Sequence, residues 1–289
     1  MSTDLTSPDV PQPTATKTGS SVKRLLVAAV LIPPLYGIIR YGSPTAFFFL
    51  VLVASTLTLL ELYQLHFRTE LLPTSEITIG VIGLSLILSA FQWPNIPRLE
   101  TLLLVITLTL LTYRVVRPAT MVDALPTIAI LVFGLVYVGS TMGHLLWLRG
   151  LPSGELLVIY LLIVTWISDT GAYYAGRTLG RHSLAPTISP KKTVEGLIGG
   201  LLAAIAAGSL CAAWFLPSFS LLDGLATGLL IALVGVIGDL AESVLKRSAG
   251  VKDSGSLLPG HGGMLDRLDS LLFSGPVFYY YVLLVKGGG

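Results

Sequence analysis

Residues 222–247 read LDGLATGLLIALVGVIGDLAESVLKR. From Leu222 to Leu245 the run is long enough to cross a bilayer, which takes about 20 mostly apolar residues. Yet it carries Asp239 and Glu242 near its end and closes on Lys246-Arg247. An ionisable group inside such a run is expensive and usually functional. The stretch sets two expectations: a membrane protein, and a helix end that carries chemistry.

Composition agrees with the first. Apolar residues make up 53% of the chain, charged residues 12%, and mean hydropathy is +0.80; a soluble domain carries about 25% charge. A net charge of +2 is too small to suggest a nucleic-acid partner. Cys211 is the only cysteine, which excludes an intramolecular disulfide, and its apolar surroundings suit a small packing residue. Residues 1–22 are rich in Ser, Thr and Pro and read as a disordered cytoplasmic tail rather than a signal or transit peptide. The remainder, 23–289, reads as one integral membrane domain with its catalytic part at about 155–285.

Nine apolar segments are expected to span: 23–40, 44–65, 77–93, 99–115, 125–147, 155–176, 193–216, 222–245 and 267–285. The fold class is thus an all-α polytopic bundle of about nine transmembrane helices. With the N-terminus inside, 14 of the 18 Lys and Arg residues fall on the inner side, leaving Arg40, Arg98, Arg149 and Lys286 outside. The positive-inside rule favours N-in, C-out.

Both long hydrophilic connections fall on that inner side. Asp239, Glu242, Ser243 and Lys246 stand at i, i+3, i+4 and i+7, one helical face, and Glu242 precedes Lys246 in the favourable order. The loop from Ala249 to Met264 has glycines at 250, 255, 260, 262 and 263, which let backbone N–H groups approach an anion. Asp266 and Asp269 open the next apolar segment on a shared face; with Asp239 they suit a divalent cation such as Mg²⁺. In the other connection, Ser189 fits an N-cap, Pro190 the first helical position, and Lys191 and Lys192 the next two. Cations at a helix N-terminus are unfavourable unless an anion binds there.

The stretch 243–269 resembles the signature of the phosphatidate cytidylyltransferases, also called CDP-diacylglycerol synthases. That signature is a Ser, a Lys-Arg, a Lys-Asp after four intervening residues, a His-Gly-Gly and a closing Asp-Arg-x-Asp. Ser243, Lys246-Arg247, Lys252-Asp253, His261-Gly262-Gly263 and Asp266-Arg267-Leu268-Asp269 supply every element. The runs from Ser168 to Arg177 and from Ser189 to Gly196 also resemble the family, with Val194 where many members have Trp. Residues 1–150 match only in being hydrophobic.

The resemblance implies a reaction in which CTP and phosphatidate give CDP-diacylglycerol and pyrophosphate, with Mg²⁺ and a second cation such as K⁺. It also implies a cavity facing the cytoplasm in a bacterial-type inner membrane, and a homodimer. Metal ligands are then expected at Asp239 and Asp266, with Asp269 as a ligand or one step behind it. Lys191, Lys192, Lys246, Arg247, Lys252 and Arg267 would bind the triphosphate and the lipid phosphate, with Ser189, Gly262 and Gly263 lining the site. Asp169 would orient a neighbour. His261 either donates to the leaving pyrophosphate or shapes the glycine turn. The same charges also suit a CTP-dependent lipid kinase attacking the γ-phosphorus. A transporter fits poorly, since transporter sites gather near the bilayer midplane.

Overall fold

Structure is described for residues 29–30, 32–67, 74–117, 123–255 and 262–287 in the computed structural model of the chain. Among them, eight helices are long and apolar enough to cross a membrane: α1 (Pro44–His66), α2 (Thr74–Gln92), α3 (Leu99–Val116), α4 (Ala124–Gly150), α5 (Gly154–Leu179), α6 (Val194–Phe215), α7 (Leu221–Ser248) and α8 (Leu265–Val285). Each lies within three residues of an expected segment at both ends. Residues 32–41 are helical as well; the beginning of that first segment and the 1–22 tail lie outside the described residues. The chain is an all-α, polytopic integral membrane protein.

Local chemistry sets the helix starts. Ser43 caps α1, accepting from the Ala46 N–H, with Pro44 following in the position its fixed φ suits. Ser220 and Asp223 form a reciprocal capping box at α7, and Asp223 also accepts from Tyr281 Oη and Lys286 Nζ of α8. Within α4, Leu135–Ser140 widen into a π turn that the apolar pattern did not reveal. Tyr63 of α1 donates to the Leu131 carbonyl just before that turn, at 2.8 Å.

One expectation fails. Residues 189–193 do not begin a helix; Ser189–Thr193 form strand β2, antiparallel to β1 (Ser183–Ala185), with Ser183 opposite Thr193 and Ala185 opposite Ser189. The cap of α6 is Thr193, whose side chain accepts from the Gly196 N–H at 3.1 Å. The physical reason is the charge of the segment. A helix opening at Pro190 would put Lys191 and Lys192 at the positive end of its dipole. Opening after Thr193 leaves them in the hairpin and puts Glu195 in the first turn, where it accepts from the Arg181 and His182 N–H groups.

The closest packing runs through α5, α6 and α7. A Cβ built on Gly228 of α7 would lie 2.6 Å from the Ala204 carbonyl oxygen of α6, and one on Gly208 the same distance from the Gly224 carbonyl oxygen. Without a hydrophobic drive between helices in lipid, small residues that let backbones meet hold the bundle together. Gly228→Val should therefore lower stability by about 1–3 kcal/mol, as overpacking does. An unchanged thermal midpoint of the purified variant in detergent would contradict this close approach.

Candidate active site

The polar residues gather where the C-terminal end of α7 meets the start of α8. Asp239 and Glu242 stand one turn apart on α7, and Asp269 stands in the second turn of α8. One oxygen from each lies within 4.8 Å of the others, so these three carboxylates could hold a metal ion. Glu242 is fully buried, and its Oε1 has no hydrogen-bond partner among the described residues. Three acids this close repel one another, and an all-oxygen set of this kind suits a hard cation. Asp169 of α5 lies within electrostatic reach of Asp239, Lys192 and Arg267.

Two lysines offset part of this charge. Lys192 Nζ, on β2, is 2.5 Å from Asp239 Oδ2. Lys246 Nζ, one turn beyond Glu242, is 2.5 Å from Glu242 Oε2 and 2.5 Å from Asp266 Oδ1. Lys246 is nearly buried, so its ammonium is committed to the two acids. Arg247 is exposed; it donates to the Val251 carbonyl at 2.8 Å and to the Ile188 carbonyl at 3.3 Å, tying the end of α7 to the β1–β2 hairpin.

Asp266 is not one of the three, but it adjoins Glu242 and shares the Lys246 ammonium with it. Its Oδ1 meets Lys246, and its Oδ2 accepts from the Ser254 N–H at 3.1 Å, Ser254 Oγ at 3.0 Å and the Gly263 N–H at 3.0 Å. It thus acts as a hub that fastens the glycine-rich connection onto α8. Gly262 has φ of +80°, which only glycine adopts readily, and a Cβ there would press on Asp266 Oδ2 at 2.9 Å. Ser189 lies in the hairpin, half-buried, while Lys191, Lys252 and Arg267 are exposed near the cluster's elements. His261 lies outside the described residues.

Residues 22–285 match the model of the Cytidylyltransferase family. The chain belongs to the cytidylyltransferase family. Among its curated relatives, an uncharacterized protein, YnbB, of Escherichia coli is 43% identical over 163 residues, covering 55% of this chain and 54% of its own. A phosphatidate cytidylyltransferase of Synechocystis is 49% identical over 135 residues, 46% of this chain and 45% of its own. A phosphatidate cytidylyltransferase of Staphylococcus haemolyticus is 33% identical over 266 residues, 91% of this chain and 98% of its own. The chain thus spans about half the length of the first two and nearly all of the third.

Sequence reasoning placed Glu242 on the polar stripe but gave it only Lys246 as a partner; its i, i+3 relation to Asp239 was the signal for the cluster. It missed Glu61 and Ser254. Glu61 was legible in principle, as a lone acid inside an apolar run, the same signal that singled out Asp239.

Because Lys246 compensates two nearly buried acids, Lys246→Met should destabilise the protein by about 3–5 kcal/mol. Adding Glu242→Gln should recover part of that loss. Equal thermal midpoints for wild type and Lys246→Met would refute the buried charge pairing.

Proposed function

We propose that the protein joins the cytidylyl group of CTP to phosphatidate, giving CDP-diacylglycerol and pyrophosphate. The observation that carries this reading is the cluster Asp239, Glu242 and Asp269 interleaved with Lys192 and Lys246 at one end of the bundle. Two of the relatives above bear the name of this activity.

A lipid phosphate oxygen attacks the α-phosphorus of CTP; the bond to the bridging oxygen breaks, and its electron pair leaves with pyrophosphate. A phosphate monoester has a second pKa near ~6, so the nucleophile is largely ionised at neutral pH and needs no dedicated base. What the protein must supply is neutralisation of two anions and in-line alignment. Lys191, Lys252 and Arg267 reach solvent and suit the phosphates, while Arg247 holds the loop against the hairpin. Lys192 bridges the hairpin to Asp239, so hairpin and cluster are positioned together. Asp239, Glu242 and Asp269 would hold Mg²⁺, which when bound offsets charge developing on the transferred phosphate. Asp266 keeps Lys246 and the glycine loop in place behind them.

We assign the charged end to the cytoplasm of a bacterial-type inner membrane, N-in and C-out, because the cationic connections lie there. A homodimer is the assembly state we expect.

CTP labelled at the α- or γ-phosphate, supplied with phosphatidate in detergent with and without Mg²⁺, tests the reading. Label from the α position should enter the lipid with release of pyrophosphate, and only with Mg²⁺ present. Transfer of the γ label instead would make the protein a lipid kinase. Asp239→Asn and Asp269→Asn should each reduce turnover by roughly 100-fold or more, the scale of losing a group that stabilises transition-state charge. Near-normal product formation by either folded variant would remove the cluster from the reaction. Arg267→Lys should lose roughly tenfold or more, since an ammonium does not replace the planar guanidinium fork.

A further inference from the structure

Glu61 lies five residues before the C-terminal end of the apolar helix α1 and is only 5% exposed. A buried acid needs strong compensation, and no Lys or Arg forms an ion pair with it among the described residues. Its partners belong to the opposite end of the chain. Glu61 Oε2 accepts from the Leu265 N–H at 2.8 Å and from Ser254 Oγ at 3.0 Å. Leu265 is the first residue of α8, and Ser254 lies six residues beyond α7, so one carboxylate oxygen holds a point within the glycine-rich connection to the start of the helix that follows it.

Two further facts tighten this. A Cβ on Gly255 would come 2.9 Å from Glu61 Oε1, and one on Gly263 would collide with Glu61 Oε2 and Ser254 Oγ. A side chain at Gly263 would displace both Glu61 and Ser254, and one at Gly255 would have to push the Glu61 carboxylate aside. Ser254 Oγ also lies 3.0 Å from Asp266 Oδ2, and a hydroxyl has one proton to share between the two acids. The chain of contacts therefore runs from α1 through Ser254 to Asp266, and through Asp266 to Lys246 and Glu242.

We propose that Glu61 is a positioning residue for the active site, using its reach to pin the glycine-rich connection at Ser254 to the start of α8 and so set Asp266 and Lys246. This rests on the reaction proposed above for its activity readout, but its geometry can be measured without it. The role requires an acceptor at the right distance rather than a charge. An amide oxygen in the place of Oε2 can accept from both the Leu265 N–H and Ser254 Oγ; a carboxylate one methylene shorter cannot reach both.

The full chain, purified in detergent, is compared as wild type, Glu61→Gln, Glu61→Asp, Ser254→Ala and Glu61→Asp/Ser254→Ala. Two readouts are taken: kcat and KM for CTP with phosphatidate and Mg²⁺, and hydrogen exchange in the peptide covering the start of α8. Glu61→Gln should keep kcat/KM within about threefold of wild type, whereas Glu61→Asp should lose roughly tenfold or more. The double variant should be no worse than Glu61→Asp, since both changes cut one path. Exchange at the start of α8 should accelerate about tenfold in Glu61→Asp and stay near wild type in Glu61→Gln. The proposal is overturned if Gln is as damaged as Asp, if Asp matches wild type, or if the two losses multiply. Absence of product from the wild-type protein would overturn the proposed reaction instead, and the exchange comparison would still decide the role of Glu61.

Discussion

The Lys246 ammonium lies 2.5 Å from Glu242 Oε2 on its own helix and 2.5 Å from Asp266 Oδ1 on the next. All three groups are largely shut off from solvent, where a lone charge would be intolerable and a pair must be well matched to persist. Neither helix can slide or rotate without breaking this bridge. The bridge thereby fixes the relation of α7 to α8, and with it the separation of Asp239 and Glu242 from Asp269. Asp266 extends the arrangement outward, because its second oxygen collects three donors from the connection between the helices.

The rest of the bundle keeps that arrangement rigid by different means. Around α6, backbone contact through small residues replaces side-chain interdigitation, and Gly208, Gly224 and Gly228 leave no room for a Cβ. The hairpin between α5 and α6 then carries Lys192 to Asp239 and meets Arg247 at the Ile188 carbonyl. Two connections distant in sequence thus close over the same carboxylates.

Much of this was legible in the chain because membrane helices leave few choices. Length and hydropathy alone place all eight described spans, and acids inside apolar runs point to the polar end. What escaped the sequence shares a cause: it depends on a competition between neighbours. Pro190 and Ser189 promise a helix, but the two lysines after them oppose its dipole, and Thr193 offers another cap four residues on. Asp266 and Asp269 have identical claims in the sequence, and only the structure shows Lys246 bridging Asp266 to Glu242. Glu61 was legible as an acid in an apolar run, but its role was not, because its partners lie about two hundred residues away, beyond the reach of any local pattern. The π turn in α4 left no compositional trace at all.

Asp239 lies nine residues before the end of α7, and Asp269 four residues into α8. At 1.5 Å per residue these are about 13 and 6 Å along the helix axes. The three carboxylates of the candidate site therefore sit on regular helix rather than on the connection between the helices. Their spacing is set by how α7 packs against α8, and a change of length or sequence in the loop alone would leave it as it is.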